Sequence, residues 1–179
     1  MLSQFLIRFK EPGIFYMKQL KFTLLFLLLS TILIAQTREE IDRGIALQKN
    51  KIGKPIIFER SKKDDADRLE LSYLGKIITK DKKVFKILTS KWIWGYSKRG
   101  TSRILIYNEM NKFLGDYCLT MTYDVPKRIQ KTFMVFDNKN RAGCDKNIIT
   151  KIDFANGIPE SFFLDCKNGG DIYTFDAAE

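Results

Sequence analysis

The residues able to do chemistry in this 179-residue sequence are carboxylates, lysines and arginines, three cysteines and two tryptophans; histidine is absent. Without an imidazole there can be no Ser/His/Asp triad, no Cys/His pair, no His-ligated zinc or haem and no histidine switch near neutral pH. What remains is carboxylate chemistry, thiol chemistry and recognition by charge and aromatic surface.

Carboxylates are densest at Asp64, Asp65, Asp67 and Glu70. Oxygen ligands this close could hold a calcium ion, but the alternating acidic positions, the turn glycine and the distant glutamate of a calcium loop are missing. Lys62, Lys63 and Arg68 supply counter-charge, so a solvated loop is expected and no metal or cofactor. Asp124, Asp153 and Glu160 are the candidates for a pair of carboxylates that hydrolyses an exported polymer, although nothing in their spacing sets two of them at a working separation. A glycine-rich phosphate loop and a Gly-x-Ser-x-Gly nucleophile motif are both absent.

The most unusual stretch runs from Lys76 to Arg103, where nine basic residues face Asp81 alone, a local charge of +8. It holds both tryptophans, in Lys91-Trp-Ile-Trp-Gly-Tyr-Ser-Lys-Arg99. On a strand, Trp92 and Trp94 share one face and Ile93 takes the other. Flat aromatics beside cations can stack on sugar rings and attract an acidic polymer or protein. Core packing of the tryptophans is the competing expectation, because indoles are usually well buried. The candidate binding residues are Trp92, Trp94, Tyr96, Lys98, Arg99 and Arg103. Nucleic acid is disfavoured as partner, since 22 of the 31 basic residues are lysine, whereas planar bidentate recognition favours arginine.

The cysteines depend on the compartment. From Met17 a short basic region leads into the 14 apolar or small residues Phe22 to Ala35, closed by Gln36 and Arg38. That is the form of a secretory signal, and it falls short of the roughly 20 apolar residues that span a bilayer. Residues 1–16 are expected to be a non-physiological extension ahead of a start at Met17, residues 17–35 the signal, and 36–179 one exported domain, periplasmic or secreted, with no membrane span after cleavage. In an oxidising compartment a cysteine pair persists as a disulfide. Asn156-Gly157 is a strong two-residue hairpin signal. A hairpin there sets Cys166 opposite Asn147, within a turn of Cys144, so Cys144 and Cys166 are the expected pair. Cys118 is then expected to be a half-buried strand residue in preference to a reactive thiol, since no histidine stands by to activate it.

The elements that must position these residues are mostly strands. Thr37 with Glu40 has capping-box spacing and opens one helix, with Ile41 and Ile45 on its inner face and a stop at Asn50 to Gly53. Strands are expected at Pro55–Glu59, Leu69–Lys80, Val84–Trp94, Arg103–Tyr107, Lys112–Tyr123, Lys131–Phe136, Ile148–Ala155, Ile158–Cys166 and Asp171–Phe175, joined by short polar turns. The fold class is mainly β: an antiparallel meander forming a strongly curved sheet, barrel or sandwich, with one N-terminal helix. The functional expectation is non-catalytic binding of an acidic partner, an envelope glycan or an effector protein, through the cationic aromatic loop. A carboxylate-dependent hydrolase and a structural envelope protein are the alternatives, and oligomeric state is not legible.

Overall fold

Period-two alternation of apolar residues writes most of the chain as strands, and a computed structural model, which describes residues 37–61 and 67–178, shows how they are laid together. The expected signal segment and Asp64 and Asp65 lie outside the described residues. Helix α1 (Arg38–Lys49) is followed by β1 (Pro55–Glu59), β2 (Arg68–Ile78), β3 (Val84–Trp94), β4 (Arg99–Asn108) and β5 (Phe113–Leu119). Then come β6 (Arg128–Gln130), β7 (Phe133–Asp137), β8 (Ile149–Asp153), β9 (Ser161–Cys166) and β10 (Gly169–Ala177).

Every strand pairing is antiparallel. One seven-stranded sheet has the order β1-β2-β3-β4-β5-β10-β9, and β6-β7-β8 make a second sheet. The expected meander is present from β1 to β5, after which the C-terminal hairpin returns to extend it. The large sheet is open between β1 and β9 and is not closed into a barrel.

The two faces of the large sheet carry separate cores. One face takes Leu69, Leu71, Tyr73, Leu88, Leu105 and Tyr107 against Ala46 and Leu47 of α1. The other takes Ile77, Phe85, Ile87, Ile104, Ile106 and Tyr117 against Met134, Phe136 and Ile152 of the small sheet. A bulge between Tyr73 and Gly75 explains how β2 serves both. One extra residue reverses which side odd-numbered positions face, so Leu69, Leu71 and Tyr73 meet the helix while Ile77 meets the small sheet. A second register shift lies between β4 and β5 at Gly115, whose φ is +141°. A Cβ there would collide with the Asp176 carbonyl oxygen and the Phe175 ring, so only glycine lets β10 close over β5.

Three local expectations are corrected. Ile41 is half exposed, and the inner stripe of α1 is Asp42, Ala46 and Leu47, because Arg60 reaches in to pair with Asp42 at 3.0 Å. The helix does begin directly after Thr37 and stops at Asn50, which is left-handed at φ 48°. Asn156-Gly157 turns the chain without making a hairpin: β8 pairs with β7 and β9 pairs with β10, so the turn carries the chain between sheets. Pro159, without an N–H, and the Asp153 carboxylate, which accepts the Ala155 N–H at 2.9 Å, occupy the groups a continuing ladder would use. Cys118 is exposed rather than half-buried.

The Cys144–Cys166 disulfide is present. It forms for another reason than the one the sequence suggested. The loop after β7 is pinned on β9 by Asn138 and Arg141, which donate to the Asp165 carbonyl oxygen at 2.9 and 2.7 Å, and this brings Cys144 to Cys166.

Candidate functional site

Strand alternation decides what stands on the helix-facing side of β3 and β4. Ser90, Trp92 and Trp94 follow one another on that face of β3, and the register sets them opposite Arg103, Thr101 and Arg99 of β4. The first two turns of α1 add Glu39 and Arg43, joined as an i,i+4 ion pair at 2.5 Å. Together these residues, Arg99 excepted, line a groove of about 510 Å³ between helix and sheet, within the size range of small-ligand sites.

Trp92 is the fixed part of the groove. Its indole Nε1 donates to Asp67 Oδ1 at 2.7 Å, and the Arg60 guanidinium stands 5.5 Å from its ring centroid. Arg60 is in turn held by the buried Asp42. Trp92 thus packs partly into the helix-side core. Trp94 is 37% exposed, with the Arg99 guanidinium 5.8 Å from its ring. Such cation–π contacts at exposed sites stabilise by about 0.5–1 kcal/mol, enough to bias orientation and too little to lock it.

The turn Gly95 to Lys98 carries Tyr96, 84% exposed, outward from the groove mouth. Lys98 sits in a left-handed conformation at φ 49° and its N–H bonds the Gly95 carbonyl oxygen at 2.9 Å. Neither Lys98 nor Arg99 has a carboxylate within ion-pair distance among the described residues. Arg103 does: Asp116 Oδ2 lies 3.0 Å from its Nη1. A guanidinium has five N–H donors, so the half-exposed Arg103 keeps several for another anion.

The +8 stretch is less cationic in space than in sequence. Lys83 pairs with Asp81 and Lys91 with Glu70, while Lys80 and Lys86 donate to Asn156 and Asn111. Among the described residues, Lys98 and Arg99 beside the groove have no carboxylate in ion-pair distance, and neither do Lys76, Lys80, Lys82 and Lys86 elsewhere in the stretch. Of the six candidate residues, Trp92, Trp94 and Arg103 line the groove, Arg99 stands over Trp94, and Tyr96 and Lys98 lie in the turn that joins β3 to β4.

Sequence reasoning missed Glu39, Arg43, Ser90 and Thr101. Thr101 was within reach, because a turn placed at Gly95 to Lys98 sets Thr101 opposite Trp92. The helix residues carried no such signal, since nothing in the sequence says which end of β3 the helix covers.

Of the acidic residues proposed for hydrolysis, Asp124 and Asp153 are engaged elsewhere, while Glu160 is exposed. Asp124, 2% exposed, has Arg141 Nε 2.8 Å from its Oδ1, without hydrogen-bond alignment, and accepts the Tyr173 hydroxyl at 2.7 Å. Burial and then the Asp124 carboxylate push Tyr173 up to about 12. Asp153 caps the turn after β8, and the Thr132 side chain and the Ala155 N–H hold its carboxyl below the usual range. Asp67 and Glu70 are bound by Trp92, Lys91 and Arg68. No helix among the described residues is long and apolar enough to cross a membrane. No family model matches the chain, and neither a curated protein nor a solved structure matches it.

Proposed function

We propose that this chain is an exported, non-catalytic binding protein that captures an acidic partner in the groove between α1 and the β3–β4 hairpin. The observation that carries the reading is the convergence of Trp92 and Trp94 with two counter-ion-free cations, Lys98 and Arg99, at one end of one hairpin. The aromatic floor supplies contact area and the rim supplies attraction at a distance. Export agrees with the Cys144–Cys166 disulfide, which persists in oxidising compartments.

Hydrolysis by carboxylates is the weaker reading. Asp124 is buried against an arginine and Asp153 is used as a turn cap, so neither is poised as acid or base.

The test is binding of the disulfide-bonded protein to immobilised anionic polymers, polygalacturonate and poly-L-glutamate, against neutral dextran at physiological salt. Retention on at least one anionic polymer, weakened about tenfold by Lys98→Glu with Arg99→Glu at unchanged thermal stability, is the expected result. Equal retention of the double variant removes the groove mouth from the site.

A further inference from the structure

Resting on that reading, we infer that the acidic partner is a carbohydrate: an anionic oligosaccharide whose rings lie on the two tryptophans and whose acid groups meet the groove arginines. The groove offers three kinds of surface at once, and each has a counterpart on such a ligand.

The first is aromatic. Trp92 and Trp94 stand on the same face two residues apart, a spacing of about 7 Å along a strand, so one short chain of sugar rings can cover both. The C–H face of a pyranose is apolar and flat, and indole faces bury it well. Trp92 has its N–H committed to Asp67 and so presents ring rather than polar edge. Its position is set before any ligand arrives, which lowers the ordering cost of binding.

The second is cationic. Arg43 and Arg103 line the groove, and Arg99 stands over Trp94 at its mouth. Guanidinium forks match carboxylate and sulfate oxygens, so acid groups carried on the rings find donors beside the stacking surface.

The third is the discriminating one. Glu39 also lines the groove, with the hydroxyl residues Ser90 and Thr101. The Glu39 carboxylate, paired with Arg43, keeps lone pairs that accept hydrogen bonds from sugar hydroxyls, which an acidic peptide side chain does not offer. A neutral sugar leaves unused the guanidinium donors that the Glu39 and Asp116 pairs do not take up, and a polyacidic peptide leaves the indole pair without rings. Only an anionic sugar uses all three surfaces.

Tryptophan fluorescence and calorimetric titration of the intact protein separate the cases, with hexagalacturonate and a chondroitin sulfate hexasaccharide as anionic sugars, maltohexaose as neutral sugar and poly-L-glutamate as acidic peptide. At least one anionic sugar is expected to perturb the indole emission and bind tenfold or more tighter than maltohexaose and poly-L-glutamate. The partly exposed Trp94→Ala and, independently, Arg103→Gln each weaken that binding tenfold or more. Both variants are compared by thermal unfolding, and the one that keeps the native transition decides. Poly-L-glutamate binding as tightly as the anionic sugars, indifferent to Trp94→Ala, overturns the carbohydrate inference and leaves an acidic protein as partner. Maltohexaose binding equally well overturns the anionic requirement. Failure of every anionic probe overturns both this inference and the reading beneath it.

Discussion

The Trp92 indole N–H donates to the Asp67 carboxylate at 2.7 Å, joining the middle of the candidate groove to the residue that leads into β2. Leu69 pairs with Trp92 in the β2–β3 register, so this bond and the sheet ladder fix the same ring from two directions. A groove built on a residue tied in this way keeps its shape in the empty protein. The outer half, Trp94 with Arg99 and the Gly95 to Lys98 turn, has no such tie among the described contacts and is the part able to adjust.

Removing the Asp67 acceptor tests whether the tie matters. Asp67→Ala is expected to cost about 1.5 kcal/mol, the low end for a hydrogen bond to a charged group, because both partners are only partly buried. Asp67→Asn keeps a carbonyl acceptor and costs less. Urea denaturation gives the stability, and a red shift of the tryptophan emission reports the loosened ring. An Asp67→Ala protein with wild-type midpoint and emission would show that Trp92 is held by packing alone.

The buried ion pair is a sharper case. Arg141 and Asp124 side chains are 5% and 1% exposed, and Arg141 also holds Asp171 at 2.9 Å. Losing one buried partner leaves the other charge uncompensated, so Arg141→Met is expected to destabilise by about 3–5 kcal/mol. Combining it with Asp124→Asn recovers part of that loss, because a neutral amide needs no counter-ion. Equilibrium denaturation of the two single variants and the double variant measures the coupling, and strictly additive losses would contradict it.

How far the sequence carried this reading varies by residue. β3 lies at Val84–Trp94 as expected, because its run of β-formers carries no glycine or proline and both ends meet turn residues. β6, three residues long, is too short to show a period and was not expected. The Asn156-Gly157 signal implies a hairpin and is a corner, since turn chemistry fixes how the chain bends and leaves open which strands then pair. Cys144 and Cys166 were paired through a hairpin that does not exist, and their meeting depends on Arg141, whose place only the tertiary structure shows. The site followed the same rule: Trp92 and Trp94 share a face by strand geometry, while Glu39 and Arg43 arrive by helix packing.

The disulfide closes a loop with a sequence separation of 22 residues. Replacing Cys144 and Cys166 by serine is expected to lower stability by about 3 kcal/mol in chain-entropy terms, chiefly by enlarging the unfolded ensemble. The effect extends to the loop anchored by Arg141, so hydrogen exchange between Asn138 and Ile148 accelerates more than exchange in β3. Native alkylation of the unreduced protein adds a single label, at the exposed Cys118. A second label without denaturant would mean that the pair is open in solution.

The β2–β3 turn supplies the pH test. The Lys83 ammonium, hydrogen-bonded to Asp81 at 2.8 Å, and then the Thr79 hydroxyl lower the Asp81 carboxyl to about 2. An unperturbed aspartate titrates near about 3.9. The folded value lies below the unfolded one, so the contribution to stability is fully present above about pH 4 and is lost as pH falls toward 2. Thr79 also accepts the Lys83 backbone N–H at 2.9 Å, so Thr79→Val removes a turn contact together with the Asp81 donor. In a carboxyl-detected NMR titration the Asp81 midpoint is expected near 2 in the parent protein and higher in both Thr79→Val and Lys83→Met, with the larger rise in Lys83→Met. Because the group is fully exposed, added salt raises the midpoint as well, by screening the lysine. A midpoint in the ordinary aspartate range, indifferent to both substitutions, would mean that the turn does not hold this geometry in solution.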